Sequence, residues 1–61
     1  MICLLSRLTA GLGVQLLWDP RNGDTFITVT LNGDTETFPV DPFNAADAFQ
    51  HPFAYGASLP L

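Results

Sequence analysis

The segment Thr25-Phe26-Ile27-Thr28-Val29-Thr30-Leu31 alternates without a break. Ile27, Val29 and Leu31 lie on one side of it, and Phe26, Thr28 and Thr30 on the other. β-Branched and aromatic residues fill it, and a Gly-Asp pair stands just outside each end, Gly23-Asp24 and Gly33-Asp34. A period of two in residues of this kind predicts a half-buried central strand of an antiparallel meander. Such a strand needs a neighbour on each side and a cover on its apolar face. The flanking segments supply candidates for all three.

Val14, Leu16 and Trp18 alternate with Gln15 and Leu17, which predicts the preceding strand. Asp19-Pro20-Arg21-Asn22-Gly23-Asp24 turns the chain, because Pro20 presets φ and Asn22-Gly23 tolerates the positive φ of a tight hairpin. A two-residue Asn22-Gly23 loop sets Trp18 opposite Ile27, Leu16 opposite Val29 and Val14 opposite Leu31. The second turn allows two registers. An Asn32-Gly33 loop of type I′ opposes Ile27 to Phe38 and Val29 to Glu36, whereas a Gly33-Asp34 loop of type II′ opposes Val29 to Phe38 and Ile27 to Val40. Both keep the apolar residues on one face. Turn statistics favour the first, side-chain pairing favours the second, and the second is the expectation. The other face then carries Gln15, Thr28, Thr30, Thr35 and Thr37, a solvated surface interrupted by Leu17 and Phe26. Those two are candidate partner contacts.

The cover is expected from Asp41 onward. Asp41 can cap a helix, Pro42 suits its first position, and Val40 can pack against its first turn. Asn44 followed by Asp47 offers a second start one turn later. Ala45, Ala46 and Phe49 form a narrow stripe for the sheet, and Pro52 ends the helix by disfavouring helical geometry at His51. His51-Pro52-Phe53-Ala54-Tyr55-Gly56 reads as a further turn that carries Phe53 and Tyr55 back onto the core, and both are further candidate partner contacts. Residues 57–61 read as a tail.

Residues 1–12 read as an apolar extension. Leu4, Leu5, Leu8 and Leu12 fall at helical spacing, which predicts a short helix ending near Ala10-Gly11. Arg7 and the glycines interrupt the run too early for a membrane span. A signal peptide needs its positive charge ahead of the apolar stretch, and here Arg7 lies within it.

The expected fold is therefore α+β: a three-stranded antiparallel meander and a short C-terminal helix packed on one face, with a short N-terminal helix, and the domain proper at 13–56. A 61-residue chain of this kind is marginal. Ordering it costs roughly 90 kcal/mol. Apolar burial for a chain of this size contributes on the order of 87 kcal/mol. Cys3 is the single cysteine and His51 the single histidine, so neither an internal disulfide nor a structural zinc site can make up the difference. The remaining remedy is a partner chain, most simply a second copy in a homodimer.

Six acidic residues face two arginines, with no lysine. Nucleic-acid binding and docking on anionic membrane both depend on Lys and Arg, so both are argued against. The composition is that of a globular, acidic, cytoplasmic protein.

Trp18-Asp19-Pro20, Phe38-Pro39-Val40-Asp41-Pro42 and Ala48-Phe49-Gln50-His51-Pro52-Phe53-Ala54-Tyr55 resemble small uncharacterised bacterial proteins, chiefly actinobacterial, that end in a similar Ala-Phe-x-His-Pro-Phe-Ala-Tyr run. The resemblance covers roughly residues 14–56 and leaves 1–12 unmatched. It implies the same order of meander and helix, and it carries no functional residue.

Reactive chemistry has little to build on. Asp47, His51 and Tyr55 would share one helix face if helical geometry persisted, but no nucleophile is placed beside them. Cys3 has no identifiable base, and the Asn-Gly-Asp turns lack the spaced carboxylates of a calcium loop. The chain is not expected to be an enzyme or to hold a cofactor or metal. Two functional classes follow: a self-associating protein-interaction module, and a small-molecule or metal-binding module using a sheet–helix crevice near Trp18, His51 and Tyr55.

Overall fold

The computed structural model describes residues 1–57. Four antiparallel strands follow one another in sheet order: β1 (Ile2–Thr9), β2 (Leu12–Asp19), β3 (Asp24–Leu31) and β4 (Asp34–Val40). A 3-10 turn at Pro42–Asn44 leads into the helix α1 (Ala45–Gln50), and a second 3-10 turn at Pro52–Ala54 follows. The α+β class, the meander and the helix packed on it are as expected, and β3 is a central strand.

The amino-terminal segment is a fourth strand, not a helix. Thr9 pairs with Leu12 across an Ala10-Gly11 loop in which both residues have positive φ, 50° and 81°. That is the type I′ geometry that matches the twist of paired strands. Leu4 is an extra residue where the β1–β2 register shifts between Cys3 and Leu5. A bulge moves the side-chain alternation by one residue, so Leu4 and Leu5 depart from a period of two, and Leu12 belongs to β2 across the loop.

Both expected registers are corrected by two residues. The first hairpin has a four-residue loop, Pro20–Gly23, closed by the Gly23 amide donating to the Asp19 carbonyl at 2.8 Å. Asp19 Oδ1 accepts from the Arg21 amide at 3.0 Å, and Asn22 Oδ1 from the Asp24 amide at 3.2 Å. These local bonds favour the longer loop, which also keeps Pro20 out of the ladder. Val14 therefore opposes Val29, and Leu16 opposes Ile27. In the second hairpin Asn32 and Gly33 have φ of 53° and 87°. The turn is type I′, and Ile27 meets Phe38 while Val29 meets Glu36. Turn chemistry outweighed side-chain pairing.

Because a shift of two preserves sides, the core forms where the alternation places it. Val14, Leu16, Ile27 and Val29 are buried beneath Ala45 and Ala48. The helix stripe is thus Ala45 and Ala48 with Phe49 at its margin, and Ala46 is exposed. Small residues let α1 approach β2 and β3 closely. Both start signals are used in succession. Asp41 Oδ1 accepts from the Phe43 amide at 2.9 Å and caps the 3-10 turn, and α1 begins after Asn44. The helix ends at Gln50, immediately before His51-Pro52. The last turn then closes over β4. A Cβ added at Gly56 would lie 2.9 Å from Phe38 Cδ2, so any larger residue there would have to displace the Phe38 ring. Ala57, assigned to the tail from sequence, is buried in the core, and the remainder of that expected tail lies outside the described residues.

Candidate interaction surfaces

The registers sort the sheet into two faces. On the face that α1 covers, successive rows read Arg7–Val14–Val29–Glu36 and Leu5–Leu16–Ile27–Phe38. On the open face they read Leu8–Gly13–Thr30–Thr35, Ser6–Gln15–Thr28–Thr37 and Cys3–Leu17–Phe26–Pro39. Thr28 and Thr37 are joined through their hydroxyls at 3.0 Å, and Thr30 and Thr35 at 3.1 Å. This is the threonine surface expected from the sequence. Leu17 and Phe26 are neighbours on it and half-buried.

Phe53 and Tyr55 lie elsewhere. Phe53 packs against the core beside α1, whereas Tyr55 is exposed and its hydroxyl donates to Asp47 Oδ2. That bond, loss of hydration and the carboxylate's charge together raise the Tyr55 pKa above its ordinary 10.0. The four candidate contact residues therefore occupy two surfaces, not one. Asp47 and Tyr55 meet directly, and His51 is exposed at the end of α1, where its amide donates to the Asp47 carbonyl at 2.8 Å.

A crevice does lie beside Trp18. Leu4, Leu16, Thr25, Pro42 and Ala45 line it with Trp18, and neither His51 nor Tyr55 takes part. Its volume of about 240 Å³ is below the roughly 300–1,000 Å³ of ligand pockets. Thr25 Oγ1 is buried beneath it with no hydrogen-bond partner. Among the described residues, no group of three or more His, Cys, Asp or Glu side chains is placed to hold a metal ion.

The prominent exposed apolar surface is β1. Ile2, Leu4 and Leu5 are about half exposed and Leu8 is 78% exposed. Its one charge is turned away from the edge. Arg7 points under α1, where Nη2 donates to the Phe49 and Gln50 carbonyls at 3.0 and 3.1 Å, with the guanidinium 5.4 Å from the Phe49 ring centre. Carbonyls at a helix C-terminus lack intrahelical partners and carry partial negative charge, which a cation satisfies. Sequence reasoning missed this role. The available signal was a lone arginine within an apolar run, a position that requires a buried acceptor.

No protein-family model, curated protein or solved structure matches this chain.

Proposed function

We propose that the protein is a small non-catalytic interaction module that self-associates through the outer edge of β1. One observation carries the reading: β1 is an outermost strand that exposes four large apolar side chains, Ile2, Leu4, Leu5 and Leu8. The backbone groups on the outer side of an edge strand are a template for a further strand. A second copy suits this edge better than an unrelated acidic chain would suit the rest of the surface. All six acids fall between Asp19 and Asp47, so β1 carries none of the carboxylates of this −4 chain and two copies meet there without carboxylate repulsion along the strand. The marginal stability expected of so short a chain favours the same conclusion, since association stabilises the folded state by mass action. Thermal unfolding over a hundredfold range of concentration tests it. The midpoint should rise with concentration, and a midpoint that does not move contradicts self-association.

A further inference from the structure

Three surfaces offer themselves beyond that reading: the crevice beside Trp18, the fully exposed ring of Phe43 next to it, and the register in which β1 could meet its own copy. Thr25 Oγ1 is sealed from the crevice opening, so it cannot recognise a ligand there. Phe43 is 99% exposed, but nothing beside it selects an occupant. The edge of β1 does constrain its occupant.

In a two-residue hairpin the residues flanking the loop form a hydrogen-bonded pair, and such pairs alternate along the strands. Thr9, Arg7 and Leu5 therefore direct their backbone groups toward β2, and Ser6 and Leu8 direct theirs outward. An antiparallel pairing of two β1 strands about a two-fold axis must join outward-directed residues. Along the regular part of the strand after the Leu4 bulge, three registers satisfy this: Ser6 opposite Ser6, Ser6 opposite Leu8, or Leu8 opposite Leu8. The second sets the two Arg7 stems directly across from each other, lays Leu5 against Thr9, and leaves Ile2 without a partner. The third overlaps only residues 6–10 and leaves Ile2, Leu4 and Leu5 in water. The first overlaps residues 2–10 and lays Leu5 against the aliphatic stem of the other copy's Arg7.

Resting on the self-association reading, we infer that two copies pair their β1 strands antiparallel about a two-fold axis through Ser6, making one sheet of eight strands. The Leu4 bulge of each copy falls opposite Leu8 of the other. Backbone pairing is thus confined to the middle of the strand, and the flanks meet through side chains, which makes the association reversible. On the open face the polar row Ser6–Gln15–Thr28–Thr37 continues without a break into its symmetry mate, doubling the threonine surface.

Cysteine cross-linking distinguishes the registers. Hydrogen-bonded antiparallel partners have Cα atoms about 5.5 Å apart, within the roughly 4.4–6.8 Å that a disulfide spans. In a Cys3→Ser background, Ser6→Cys should form a covalent dimer under mild oxidation. Leu8→Cys should not, because the two Leu8 positions lie about 14 Å apart along the strands. The unaltered protein should not link either, since its Cys3 residues are about 20 Å apart. Linking by Leu8→Cys alone, or only in a mixture of the two variants, overturns the Ser6 axis while leaving self-association intact. A dimer that links in none of these and is lost in Phe43→Ser places the contact at the helix side and also overturns it. A chain that stays monomeric throughout overturns both readings.

Discussion

The two outer strands of the sheet have nearly the same length, yet β4 carries Asp34, Glu36 and Pro39 where β1 carries Leu4, Leu5 and Leu8. Val40, Phe38 and Glu36 occupy the positions that bond back to β3, so Pro39, opposite Phe26, has its ring where an outward N–H would otherwise stand. Proline and charge are the usual means by which an edge is kept from pairing. The cover is uneven in the same sense. The last turn brings Gly56 onto Phe38, while on the other side Leu4 and Leu5 stay about half exposed, and Arg7 of β1 reaches under α1. One edge is finished as a boundary. The other carries the apolar residues common in internal strands, and that difference between the two edges is what the proposed self-association rests on.

Exchanging the edge devices should have the largest effect. Ser6→Pro removes the outward donor at the proposed axis, and Leu8→Lys puts a charge on the exposed flank. Each should abolish self-association by light scattering, with little change in the fold because neither side chain is buried. The reverse change, Pro39→Thr, restores an outward N–H to β4 and should produce species larger than a dimer. Unchanged mass in all three variants would remove the contrast between the edges.

Next in size is the tie between β1 and the helix. Arg7→Met keeps the stem but loses two charge-assisted hydrogen bonds, which should cost about 1.5–3 kcal/mol in denaturant unfolding. A loss under about 0.5 kcal/mol would mean that water replaces the guanidinium. Ala10 is a smaller matter. Its φ of 50° is costly for a residue with a Cβ, and Ala10→Gly should stabilise the β1–β2 hairpin by about 1 kcal/mol.

The smallest effect serves as a control at the Tyr55–Asp47 contact, which takes no residue from β1. Tyr55 is held neutral by its bond to Asp47, so its folded pKa lies above the ordinary 10.0. The stability it contributes is fully present below pH 10 and is lost as pH rises through the raised value. Ultraviolet titration of this single tyrosine should give a midpoint above 10 that returns toward the ordinary value in Asp47→Asn. A midpoint at the ordinary value in the unaltered chain would show that the bond does not persist in solution. Asp47→Asn should not alter the mass in solution.

Most of the core was legible because it depends on side alternation alone. Val14, Leu16, Ile27 and Val29 are buried whichever two-residue register the turns select, so errors at Asn22-Gly23 and Gly33-Asp34 left the apolar face intact. The strand β1 was not legible, for a local reason. Its bulge at Leu4 breaks the period of two, and its turn is Ala10-Gly11 where a hairpin of this type ordinarily carries Asn-Gly. The candidate contacts Leu17, Phe26, Phe53 and Tyr55 were chosen as apolar or aromatic residues in polar settings. Such a criterion finds exposed rings and misses an edge, because an edge is defined by backbone groups that no side chain announces.

Sedimentation equilibrium on the full chain and on Ser6→Pro, over a hundredfold range of concentration, tests the central claim most directly. The unaltered chain should climb from the mass of one chain toward that of two, and Ser6→Pro should remain at one throughout. An unaltered chain that stays at the mass of one at every concentration, or a Ser6→Pro variant that dimerises as readily, would contradict it.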